Sequence, residues 1–164
     1  MLQEYANTQE IKMERKRGFE IAKGFENRDI TMPVRKTKYS AGYDVCAAED
    51  CVIPPFTFGS KPTLVKTGIK AYMQEDEYLI LCNRSSNPFK KGLVMANSVG
   101  IIDADYYENP DNDGAMKFAF YNFSDQLITI KKHERIGQAI FMKYHLTDND
   151  EANSLRAGGF GSTD

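Results

Sequence analysis

Five stretches of this chain, 64–72, 77–82, 116–121, 126–130 and 138–144, are short, apolar or alternating, and rich in Ile, Val, Phe and Tyr. Successive side chains of an extended backbone face opposite sides of a sheet, and β-branched and aromatic residues suit that pleated surface, so these runs read as strands. Turn-forming residues bound them at Pro54-Pro55, Phe58-Gly59-Ser60, Gln74-Glu75-Asp76 and Asp111-Asn112-Asp113-Gly114. Many short strands at such spacing predict an all-β sandwich or barrel. A first strand is expected at about 18–23, and 87–91 is the one place for a helical turn after the leader. The sequence contains no internal repeat.

At 164 residues the chain is sized for one domain. A domain of that size buries about two thirds of its unfolded surface, enough for a core without staples. Its ends differ from its middle. Residues 1–17 form a polar, charged extension, expected to be a solvated leader. Residues 18–146 carry the β-domain, and 147–164 turn polar again, the composition of a flexible C-terminal arm. Within that arm Arg156, Phe160 and three glycines fall inside six residues. Charge, a stacking face and backbone freedom together point to a working segment rather than an idle tail.

Net charge is −2, so no excess of positive charge draws the chain to nucleic acid. Cys46, Cys51 and Cys82 are odd in number and lack metal-binding spacing, which predicts reduced thiols in a cytoplasmic protein. No apolar run approaches the ~18 residues of a membrane span, and no signal-peptide pattern opens the chain. Neither nucleic acid nor membrane is expected as a partner.

The run Gly100-Ile101-Ile102-Asp103-Ala104-Asp105-Tyr106 ends in two carboxylates and an aromatic. A carboxylate at the end of a buried strand is held well enough to aim one water as a general base. A structural acidic turn fits the same residues equally well.

Four further segments change that balance: Ala41-Gly42-Tyr43-Asp44-Val45, Arg84-Ser85-Ser86, Glu134-Arg135-Ile136-Gly137-Gln138, and Arg156-Ala157-Gly158-Gly159-Phe160-Gly161-Ser162-Thr163. With the Asp103 run, and in this order, they resemble the five motifs of the trimeric dUTP pyrophosphatases (dUTPases), of the bacterial or bacteriophage type. The likeness covers about 32–163. It implies an all-β, jelly-roll-like subunit that assembles as a homotrimer with three shared sites. Each site takes 97–106 from one subunit, Asp44, Ser85 and Gln138 from a second and a flexible closing arm from the third. The implied reaction is hydrolysis of dUTP to dUMP and pyrophosphate, which limits uracil incorporation into DNA and supplies dUMP for thymidylate synthesis.

The resemblance also implies roles. Asp103 is the base that orients the attacking water, and Asp44 is the metal-site carboxylate, acting on Mg²⁺ through a water. Magnesium that arrives on substrate phosphates needs few protein ligands. Arg84, Ser85, Ser86 and Gln138 bind the phosphates, since a planar fork of donors and nearby hydroxyls suit phosphate oxygens. A hairpin from Asn97 through Gly100 to Ile102 reads uracil, and Tyr106 lies against the deoxyribose and excludes a 2′-hydroxyl. In the arm, Phe160 stacks on uracil, Arg156 and Ser162 reach toward the γ-phosphate, and Gly161 gives the backbone freedom to fold over the substrate. Arg135 is expected in an ion pair across subunits or on the phosphates, and Asp105 in a structural role.

The chain departs from the family pattern in places. Its arm motif is one residue short, His133 stands where a turn glycine is usual, and 107–114 replaces a tight turn and reads as a longer surface hairpin. A dCTP deaminase of the same fold is the rival enzyme, but its catalytic glutamate position is occupied by Ala119. A nucleotide-sensing module would be expected to lose Asp103, Gln138 or the arm, and all are present. The sequence leaves room for a regulatory protein partner beside catalysis.

Overall fold

The computed structural model describes residues 14–154, Arg156 and Gly158, so the expectations placed on Phe160, Gly161 and Ser162 lie outside the described residues. The β-runs become β1 (Gly18–Ile21), β2 (Tyr43–Cys46), β3 (Cys51–Ile53), β4 (Thr63–Lys66), β5 (Ile69–Tyr72), β6 (Glu77–Asn83), β7 (Leu93–Met95), β8 (Val99–Asp103), β9 (Lys117–Asn122), β10 (Ile128–Ile130) and β11 (Arg135–Lys143). One short helix, α1 (Ser86–Lys91), lies where the helical turn was expected. The protein is an all-β, jelly-roll-like fold.

Two antiparallel sheets face each other across one core. One has the strand order β2-β11-β6-β8 and the other β4-β9-β7, with β1–β5 and β3–β10 as additional pairs. Alternation decides which side chains meet: along β6, Leu79 and Leu81 are buried while Tyr78 and Ile80 are half-buried on the other face. Opposite them β9 contributes Phe118 and Phe120, whose rings stack with centroids 6.0 Å apart. Burying one such side chain is worth ~1.5–3 kcal/mol.

The run 64–72 breaks into two strands belonging to different sheets. At the break, the Thr67 hydroxyl donates to Met116 O (2.8 Å) and accepts from Ile69 N (3.2 Å), and Gly68 adopts φ +70°. That left-handed backbone turns the chain through a corner that apolar patterning alone could not show. The nucleobase hairpin is likewise revised. The Asn97–Ser98 turn joins β7, which pairs with β9, to β8, which pairs with β6. Leu93 and Met95 bury into the core on β9, so the two strands diverge instead of forming their own ladder. This leaves β8 as the edge strand of the four-stranded sheet.

The stretch 107–114 is not a hairpin of strands but a loop of successive turns, folded around the buried Asn109. At the leader's end, Arg17 grips the buried Glu77 with two nitrogens (2.9 and 2.6 Å), and Arg15 pairs with Glu20 (2.5 Å) over the Tyr72 ring. No helix among the described residues is long and apolar enough to cross a membrane.

Candidate active site

At one end of the four-stranded sheet, cross-strand register sets Gln138 of β11 beside Asp44 of β2. Asp44 is buried; its Oδ2 accepts from Arg135 Nη1 at 3.0 Å and its Oδ1 lies 3.4 Å from Gln138 Nε2. Arg135 therefore finds its partner within its own chain. A side chain at Gly42 would place Cβ 2.8 Å from Gln138 Oε1, so the glycine clears the space that the glutamine amide occupies. Its task here is close approach. Arg84, just past β6, donates to Arg135 O (3.1 Å) and joins the same cluster. Ser85 caps α1 without using its hydroxyl in the cap, and Ser86 opens the helix. Buried Asn87 anchors this segment by donating to Asn83 Oδ1 (2.8 Å) and Ile136 O (3.0 Å). The sequence reading passed over Asn87; its only signal was a polar residue inside the expected helical turn.

The other end of the sheet holds Asp103, the last residue of β8, in register with Tyr78. Asp105 follows in a 3-10 turn (Ala104–Tyr106). Both carboxylates are 52% exposed, and a single guanidinium bridges them: Arg156 Nη2 to Asp103 Oδ2 at 2.5 Å, and Nε to Asp105 Oδ1 at 2.8 Å. These contacts, that with Asp105 first, raise the Arg156 pKa above its ordinary value. Its Cζ also lies 5.7 Å from the centre of the Tyr106 ring. Asp105, read from sequence as structural, is thus half of the clamp on the arm's arginine. Tyr106 is buried, Gly100 is buried within β8, Ile102 is half-buried, and Asn97 is exposed in the turn before the strand.

Beside Asp103 and Arg156 runs a cleft of about 990 Å³, bordered also by Met73, Tyr78, Ile101 and Tyr144. The Tyr78 and Tyr144 rings meet edge-on, 6.4 Å apart. Neither was singled out from the sequence, because each looks like an ordinary strand residue.

The two clusters do not meet within one chain. Gln138 pairs with Cys82 and Asp103 with Tyr78 on the same strand, four residues apart, about 13 Å at ~3.3 Å per residue. They are also two strands apart, a further ~10 Å. A carboxylate acts on a proton directly or through about one water, so within one chain a group held at the Asp44 cluster lies beyond the reach of Asp103.

Among the described residues, no group of three or more His, Cys, Asp or Glu is arranged to hold a metal ion. Asp44 already faces a guanidinium, which makes it a poor direct ligand but leaves lone pairs for a metal-bound water. The residues present suit a metal carried in by a polyanion rather than one caged by protein.

A model of the dUTPase family matches residues 28–164. The deoxyuridine 5'-triphosphate nucleotidohydrolase of Lactococcus lactis subsp. lactis (strain IL1403) is 49% identical over 149 residues, spanning 90% of this chain and 97% of that protein. The crystal structure of dUTPase from Streptococcus mutans superposes with a TM-score of 0.72 at 45% identity, covering 80% of this chain and 99% of the other. A mutant dUTPase from phage phi11 of S. aureus, whose structure concerns the coordination of a structural Mg(II) ion, shares the fold at 20% identity. Its TM-score is 0.65, over 85% of this chain and 98% of that one.

Proposed function

This chain belongs to the dUTPase family, and from that premise we infer that it hydrolyses dUTP to dUMP and pyrophosphate. The activity limits uracil incorporation into DNA and supplies dUMP. The observation that carries the residue assignment is the pair of clusters at opposite ends of one sheet: donors for phosphate at Arg84, Ser85 and Gln138, and a half-exposed carboxylate at Asp103. Asp103 orients the attacking water, and the Arg84–Ser86 segment with Gln138 binds the phosphates. Such a reaction is mostly positioning and charge stabilisation, which these fixed groups supply. Gly100 and Ile102 lie on an edge strand, whose outer backbone groups are available to read the uracil edge, with Asn97 in the turn before it. Tyr106 borders the deoxyribose.

Asp44 would hold Mg²⁺ through a water while the substrate phosphates carry it, and the ion would supply positive charge to the polyphosphate. The gap between the clusters favours a site completed by another copy of the chain, and a homotrimer with three shared sites is the assembly we adopt. Residues 147–164 act as the arm and 1–17 as an extension of the 18–146 domain. Here Arg156 sits on its own chain's Asp103 and Asp105. For the arm to serve a phosphate, that clamp has to open, and the γ-phosphate is the anion that competes for the guanidinium. A dUTPase that works on the nucleotide pool is placed in the cytoplasm.

Pyrophosphate release from dUTP, dCTP, dTTP and UTP with Mg²⁺ tests the assignment. Turnover confined to dUTP is expected; release of ammonia from dCTP would point instead to the deaminase chemistry that Ala119 argues against.

A further inference from the structure

The loop 107–114 is built around Tyr106. Asn112 Nδ2 donates to the Tyr106 hydroxyl at 2.9 Å, and Asn109 Nδ2 donates to Tyr106 O at 2.8 Å. The orientation of the Asn112 amide is determined by its other end. Oδ1 accepts from Asn109 Nδ2 (2.9 Å) and from Gly114 N (3.0 Å), which turns the NH₂ group toward the tyrosine. Asn109 Oδ1 in turn accepts from the backbone N–H of Asp111 (3.1 Å) and Asn112 (3.2 Å). The loop is then anchored to the sheet by Lys70, whose ammonium is buried. It lies 3.0 Å from Glu108 Oε1 and 3.0 Å from Asp113 Oδ2, and 4.8 Å from the centre of the Tyr107 ring. The Tyr107 hydroxyl donates to Glu20 of β1 at 2.6 Å.

These contacts link β1 and β5, through Lys70, Tyr107 and the loop, to a single aromatic ring. A ring serves as a steric gate against one extra oxygen only if it cannot rock, because displacements on the scale of an ångström are enough to admit it. We propose that Asn112 is a positioning residue for Tyr106, and that the 107–114 loop thereby sets discrimination between deoxyribose and ribose triphosphates. The proposal rests on the reading that Tyr106 borders the sugar. Asn112 itself touches the hydroxyl of the gate and not the substrate.

The test compares kcat/KM for dUTP and for UTP in the full-length protein with Mg²⁺, together with the thermal midpoint of each variant. Asn112→Ala should narrow the dUTP-to-UTP ratio by ~3–10-fold, the range expected for one lost hydrogen bond. Tyr106→Phe should narrow it similarly, and the double variant should go no further than the larger single one, because both remove the same bond. Asn112→Asp keeps an acceptor for Gly114 N–H and offers another to the Tyr106 hydroxyl, so its ratio should stay within about 2-fold of the parent. A proportional loss on both substrates in Asn112→Ala overturns the proposal, whatever its thermal midpoint, and so does an additive double variant. Tyr106→Ala separates the two readings. An unchanged ratio there removes Tyr106 from the sugar and the proposal falls with it. A narrowed ratio there with Asn112→Ala unchanged defeats the proposal alone.

Discussion

The two ends of the four-stranded sheet are built differently. At the Asp44 end, carboxylate, guanidinium and amide are locked together by strand register, and Asp44 is buried. At the Asp103 end, the carboxylates are half-exposed and meet an arginine from 53 residues further along the chain. The first cluster is preorganised by the fold, so its geometry is ready before substrate arrives. The second is held by an ion pair that water and competing anions can replace, and exposed pairs of this kind contribute little to stability. On the proposed assignment, the rigid end holds the phosphates and the exchangeable end does the chemistry.

Asp103→Asn is the largest expected break between the two ends. Loss of a general base costs ~10²–10⁴ in rate, so kcat for dUTP should fall by that much while the thermal midpoint barely moves. A variant that lost stability with its activity would mean that the Asp103 end is structural after all. Asp44→Ala should do the reverse in proportion. Removing the buried carboxylate leaves Arg135 without its partner, and because that guanidinium is half-exposed the cost should be about 1 kcal/mol. Denaturant unfolding would measure it, and titration with a non-hydrolysable triphosphate and with dUMP should show weakening chiefly for the triphosphate.

The smallest effect sharpens the comparison from underneath. Glu77, buried at the start of β6 next to the Asp103 end, is held below its ordinary value of 4.5, first by the hydrogen bond from Arg17. A carboxylate whose pKa is depressed on folding contributes stability that is fully present above its unfolded value and is lost as pH falls through the folded one. The thermal midpoint should therefore decline below about pH 4.5 more steeply in the parent than in Glu77→Gln, whose acid limb should be flatter. Parallel acid limbs would show that the Arg17 grip adds nothing to this end.

Much of this is legible in the sequence. The strand runs, the helical turn after Ser85 and the acidic end of the Asp103 run could all be read, because alternation, turn chemistry and an abrupt change from apolar to charged residues are local signals. The corner at Thr67 was not, since it depends on a carbonyl at Met116, 49 positions away. Nor was the separation of β7 from β8, which was decided by which of them found β9 and which found β6. Motif spacing brought Asp44, Arg84, Gln138 and Asp103 forward as candidates, and it was the family resemblance, not the spacing, that implied Asp44 and Gln138 gather while Asp103 lies apart. The loop after Tyr106 looked like a surface excursion because nothing local links Asn112 to a tyrosine hydroxyl.

By itself the sequence determined the alternation that makes this an all-β chain, the positions of its turns and the identity of the chemical groups at each motif. Those follow from backbone sterics and from the period of a strand, which act over a few residues. Only the tertiary structure decided that Arg135 serves Asp44, that Arg156 spans Asp103 and Asp105, and that Lys70 ties the 107–114 loop to the sheet. Each of those pairings closes a loop of 38 residues or more. The charges alone would accept many partners at similar energy, so the choice falls to the core packing that fixes which strands lie side by side.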